Sequence, residues 1–167
     1  MDPNVTPPVG EALRSSVDLF IGFGTDFFAF IVVAALVAAF AFYFGRDRLT
    51  PLVAGLFAAV PLYTHFAFVT VLGSNPWLHL GLFIALTVLG LVAFMGLSSW
   101  VPSTGAGFVK TLGLSAIIAG MILAIALNLL PLSEVYTVSE PTHALLVSQN
   151  FFWWLLAGVV GVFILGR

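Results

Sequence analysis

Seven side chains interrupt an apolar chain at positions where chemistry could be done: Asp26, Tyr63, His65, His79, Asn128, Gln149 and Asn150. A carboxylate beside a histidine could pass protons, two facing histidines could hold haem, and a ring of amides and phenols could line a polar pocket. The spacing supports little of this. Bis-histidine haem ligation needs two facing rings at one depth, whereas a rise of ~1.5 Å per residue sets His65 roughly 9 Å deeper than His79. The third histidine, His143, falls near the start of the last helix. No H-E-x-x-H run, nucleophile elbow, phosphate-binding loop or paired-carboxylate motif occurs. The expectation is therefore no catalytic residue, no metal site and no cofactor, with haem through His65 not expected.

What six of the seven share is depth. Counted from the cytoplasmic ends of their helices at ~1.5 Å per residue, Asp26, His65, His79, Asn128, Gln149 and Asn150 fall roughly 22 to 33 Å up, in the outer leaflet and its interface, with Tyr63 beside His65. The simplest reading is a set of caps and interfacial side chains reaching water. The functional reading is an outward-facing polar pocket. Asp26 and His65 differ by only about 6 Å in depth, within what tilt and side-chain reach absorb, and are expected to pair directly or through water.

The elements that position these residues follow from composition. Hydrophobic residues make up 61% of the 167, charged residues only 7%, and the mean hydropathy is +1.17. A soluble domain carries about a quarter charged residues, so the medium here is lipid. Continuous apolar runs exclude a transmembrane barrel and require helices, which satisfy their own backbone. The formal charge of −2, with scattered basic residues, leaves no surface for nucleic acid. The absence of cysteine removes disulfides, iron–sulfur clusters and thiolate zinc. No basic region precedes the first apolar run, so it reads as a retained span rather than a cleaved signal peptide.

The organising break is Gly45-Arg46-Asp47-Arg48-Leu49-Thr50, followed by Pro51; eighteen uncharged residues precede it and no charge follows until Lys110. The pattern predicts an all-α integral membrane protein: a five-helix transmembrane bundle preceded by a short amphipathic interfacial helix. The predicted spans are about 26–44, 51–72, 77–100, 107–130 and 140–166, with residues 1–25 an outer tail. In that tail Val9, Leu13, Val17 and Phe20 recur on one helical face opposite Glu11, Arg14 and Asp18, a surface suited to the membrane interface or a partner. Gly22 and Gly24 are expected to end this helix, with Thr25 or Asp26 capping the next. Thr50-Pro51, Asn75-Pro76 and Ser139-Glu140-Pro141 read as helix starts, and Pro61 as a kink in mid-membrane.

Direction comes from charge. Short cytoplasmic loops collect Lys and Arg, and the alternation puts Arg46, Arg48, Lys110 and Arg167 on one side against Arg14 on the other. The N-terminus is expected outside and the C-terminus in the cytoplasm, in a cell (plasma or inner) membrane. Small residues at four-residue spacing (Ala34/Ala38, Ala35/Ala39, Gly55/Ala59, Ala116/Gly120/Ala124, Ala157/Gly161) let helices approach closely. No Asp, Glu, Lys or Arg lies in the central part of any span, which argues against an ion-coupled carrier or proton pump. The leading expectation is a non-catalytic packing or scaffold subunit of a larger membrane assembly, or one that self-associates, with the bilayer and other membrane subunits as partners. The alternative is a passive channel or carrier for a small neutral or lipid-like molecule.

Overall fold

The computed structural model describes residues 9–67, 69–96, 107–131 and 138–165. Among the described residues six α-helices carry the fold, α1 (Val9–Phe44), α2 (Leu49–Thr64), α3 (Pro76–Ala93), α4 (Phe108–Leu129), α5 (Glu140–Leu146) and α6 (Phe151–Leu165), and there is no strand. Among the described residues three segments are able, by length and composition, to cross a membrane: Gly24–Phe44 of α1, all of α3 and all of α4. A fourth forms if α5 and α6, bent by 62° at their junction, act as one span.

Each departure from the expected boundaries has a local cause. Gly22 and Gly24 do not end the first helix; α1 runs through both for 36 residues. A helical glycine costs only about 1 kcal/mol against alanine, and a helix passing from water into lipid keeps every backbone hydrogen bond. The first turns therefore belong to the same continuous helix as the span rather than forming a separate one. Val9, Leu13, Val17 and Phe20 lie outside the residues whose side chains are described. Helix α2 starts at Leu49, two residues before Pro51, and stops at Thr64 rather than Leu72. Pro61 thus sits in its last turn, not mid-helix, and its carbonyl takes the His65 N–H at 3.1 Å and the Thr64 hydroxyl at 3.0 Å. At 16 residues α2 spans about 24 Å, short of a hydrocarbon core of ~30 Å. A 3₁₀ turn, Val69–Leu72, follows it.

Other signals hold. Asn75 caps α3 through its side-chain oxygen, which accepts the Trp77 N–H at 3.1 Å, with Pro76 as the first helical residue. The reversal after α1 needs Gly45 in the left-handed region (φ +93°), which leads into the 3₁₀ turn Arg46–Arg48. The third span closes at Ala93, and residues 97–106, including Trp100, lie outside the described residues.

Helix α4 is the hub. It packs against α1 on one side and α6 on the other, while α2 pairs with α3 and leans on α6 and α4. Ile118, Met121 and Ile125 of α4 are fully enclosed, meeting Val37 and Ala41 of α1, Leu49, Val53 and Leu56 of α2, and Val162 of α6 in one core. The small residues act where two helices cross. A Cβ on Gly55 would lie 2.7 Å from the backbone nitrogen of Leu91, and one on Gly90 would lie 2.8 Å from the Gly55 Cα. Helices α2 and α3 therefore touch backbone to backbone. Where lipid offers no hydrophobic drive, this close approach is what lets dispersion hold two helices together. Gly120 gives the Trp154 ring its seat on α4, and Gly158 and Gly161 of α6 receive Met121 and Ile117.

Apolar side chains also cover the outside. Phe28, Leu36, Trp77, Leu89, Phe163 and Ile164 are all exposed. So many exposed large apolar side chains suit acyl chains, not water.

Candidate functional site

The polar residues named from the sequence divide into two groups held by different helices. The first is a clasp between α2 and α3. Tyr63, buried near the end of α2, lies 2.7 Å through its hydroxyl from Nδ1 of His79, and Nε2 of His79 lies 2.9 Å from the carbonyl oxygen of Gly73. A carbonyl only accepts, so Nε2 carries the proton and Nδ1 accepts from the tyrosine in the neutral ring. The Tyr63 ring also meets the rings of His79 and Phe83 edge-on. Gly73, at φ +63°, supplies the left-handed step of the turn that His79 grips. Both ring nitrogens are occupied by the fold, so the arrangement works as a latch on the α2–α3 hairpin.

His65 stands apart. Its Nδ1 lies 3.0 Å from the Pro61 carbonyl and 3.1 Å from the Thr64 hydroxyl, and the residue is exposed. The expected direct pair with Asp26 does not form. Asp26 instead takes the N–H of Ser139 at 2.9 Å and the Ser139 hydroxyl on the same carboxylate oxygen. A carboxylate expected to cap its own helix thus reaches a residue 113 positions away, at the start of α5. Charge-assisted bonds of this kind are about twice as strong as neutral ones. The Thr142 hydroxyl completes the group, 3.0 Å from that of Ser139.

The second group surrounds the junction of α5 and α6, where the sequence suggests one uninterrupted helix. Helix α5 ends at Leu146, a 3₁₀ turn covers Ser148–Asn150, and α6 begins at Phe151. A break exposes carbonyls that a continuous helix would satisfy, at a cost of several kcal/mol each in lipid. Here four in a row are met. Val147 N–H donates to His143 at 2.9 Å, the Asn150 amide to Ala144 at 2.8 Å, the Trp154 indole to Leu145 at 3.0 Å, and the Asn128 amide to Leu146 at 2.9 Å. Asn128 comes from α4 and also donates to its own Ala124 carbonyl. The break is therefore held by donors from three segments.

Beneath it lies a cavity of about 270 Å³. Phe27 and Phe30 of α1, Leu123 of α4, Leu145 and Leu146 of α5 and Trp154 of α6 form its apolar wall, with Asp26 and Thr142 at one end. Of the seven sequence-derived residues, then, Tyr63 and His79 meet, Asp26, Asn128 and Asn150 converge on α5, and His65 and Gln149 remain exposed outside both groups. Ser139, Thr142 and Trp154 were not singled out as site residues. The available signals were Ser139 heading a helix start and Trp154 four residues after Asn150. Among the described residues no group of three or more His, Asp or Glu could hold a metal ion.

No protein-family model, curated protein or solved structure matches this chain.

Proposed function

We propose that this protein is a non-catalytic, multi-pass packing subunit of a larger assembly in the cell membrane, with its N-terminus outside and its C-terminus in the cytoplasm. The observation that carries the reading is α1. Its apolar segment, Gly24–Phe44, accounts for 21 of 36 residues, which leaves fifteen that extend the same axis by about 22 Å. Val9, Leu13, Val17 and Phe20, an apolar face by sequence spacing, belong to a helix that runs without interruption into a span, and in this reading that helix carries them out of the membrane plane. An apolar stripe held up in water needs a protein surface to cover it. In this reading the chain crosses five times, the second crossing made by α2 together with the residues up to Leu72.

The test is a Leu13→Asp, Val17→Asp double variant. It should insert normally and lose its partner or its oligomer; unchanged assembly would refute the role given to this helix.

The cavity at the break supports a second reading, a carrier for a small neutral or lipid-like molecule. Carriers often bind at discontinuous helices, where irregular backbone lines a pocket. Flux of such a solute into vesicles containing the purified chain alone distinguishes the two.

A further inference from the structure

We infer that, in the membrane, the cavity beneath the α5–α6 break is filled by one hydrocarbon chain of a neighbouring lipid, taken up without regard to its headgroup. Such a chain is resident, neither cargo nor protein partner, and requires neither the assembly nor the carrier role.

Space comes first. At about 270 Å³ the cavity is nearly twice the ~150 Å³ of an engineered apolar cavity that takes up benzene. Helix α5 stands over it rather than on packed side chains: Leu146 is its one buried residue, and Thr142, Leu145 and Leu146 line the gap. Phe27 of α1 and Leu145, both exposed, belong to the same wall, so the cavity reaches the outer surface of the bundle.

Chemistry then excludes water. Phe27, Phe30, Leu123, Leu145 and Leu146 present hydrocarbon, and the polar atoms around them are committed to the fold. The Trp154 N–H donates to the Leu145 carbonyl at 3.0 Å, the buried Asp26 carboxylate takes the N–H and hydroxyl of Ser139, and the Thr142 hydroxyl lies 3.0 Å from that of Ser139. An enclosed water needs about two to four polar partners, which these walls do not offer. Left empty, the space would deprive its lining of dispersion contacts. A methylene chain supplies them and asks for no hydrogen bond.

Position names the source. Asp26 and Thr142 lie at the end where α1 enters its apolar segment, Gly24–Phe44, and Phe30 is one turn further along α1. Leu123 stands about 9 Å before the end of α4. The walls thus run from the border of the apolar layer into it, the depth at which the chains of one leaflet lie. Those chains are the solvent of the bundle, so mass action favours them over a dissolved molecule. Nothing in the wall selects a headgroup. Among its described residues Asp26 alone is ionisable, and it is buried and held by Ser139; Glu140 is not part of the wall.

The experiment uses the full chain in phosphatidylcholine vesicles whose lipid carries brominated chains, which quench tryptophan on contact. One variant keeps only Trp154 (Trp77, Trp100 and Trp153→Phe). A reference keeps only Trp153, which is 63% exposed and reports bulk lipid. Trp154 is less exposed, yet it should be quenched as strongly as Trp153. Brominated phosphatidylethanolamine and phosphatidylglycerol should quench it equally at the same mole fraction. Leu123→Phe, which fills the gap from α4, should reduce the Trp154 quenching about twofold. Trp154 quenched well below Trp153, quenching that differs among the three headgroups, or quenching untouched by Leu123→Phe would each overturn the assignment. Preferential quenching of Trp154 by a few mole per cent of 1-bromododecane would overturn it too, giving the site to a free apolar molecule.

Discussion

Asp26 and Ser139 lie 113 positions apart and are joined twice, backbone N–H and hydroxyl both donating to one carboxylate oxygen. The pair fastens the start of α5 to α1 at the level where α1 enters its apolar segment. Gly22, one turn earlier, makes room for it: a Cβ there would lie 3.3 Å from that of Ser139. Asp26→Ala should lower stability by about 1–3 kcal/mol, since two donors lose a charged acceptor. Ser139→Ala should cost less, because its backbone N–H still donates. Thermal unfolding of both singles and the double in one detergent gives the coupling; additive effects would contradict the pairing.

Asn128 is the support of the break that comes from outside it. Replacing it with Leu keeps the branched shape and leaves the Leu146 carbonyl without its side-chain donor. A loss of about 1–3 kcal/mol is expected. Hydrogen exchange should rise at the amides of α5 while those in the middle of α4 stay protected. Uniform exchange across both helices would show that Asn128 does not act on the break.

The α2–α3 crossing makes an opposite pair of glycine predictions. Gly55→Ala and Gly90→Ala place a methyl against backbone, which cannot yield as a side-chain tip can, and should each cost about 1–3 kcal/mol. Gly24→Ala meets nothing within 4 Å and lies inside a continuous helix, so it should stabilise by about 0.5–1 kcal/mol. Destabilisation by Gly24→Ala would mean that α1 bends there.

Orientation is tested by cysteine labelling in a chain that has no cysteine of its own. Ser103→Cys should resist an impermeant thiol reagent in intact cells and react once the membrane is opened. Labelling in intact cells would reverse the topology.

The helices that could be read from the sequence are those whose ends carry a local chemical signal. Asn75-Pro76 starts α3 with the expected cap, and the apolar run after Gly107 is α4 within a residue at each end. Composition failed where the apolar run outlasts the helix. Past Thr64 the chain stays apolar to Leu72, yet α2 ends at Thr64, within a turn of Pro61. The opposite failure occurred in α1, where two glycines look like a stop and lipid tolerates them. The α5 break was hidden for a third reason. Ser148-Gln149-Asn150 reads as the first polar turns of a span, and the carbonyls freed there find a donor on α4, which no local pattern reveals. Asp26 shows the same limit: its neighbours suggest a cap, and its partner comes from the far end of the chain.

The central claim, that this chain packs into a larger assembly through α1, is most directly tested by the mass of the particle it occupies when excised from its membrane with surrounding lipid. The account predicts a discrete particle containing more protein than one 17.8 kDa chain, of fixed stoichiometry, that falls to the single chain in the Leu13→Asp, Val17→Asp variant. A wild-type particle holding one 17.8 kDa chain and lipid alone would contradict it.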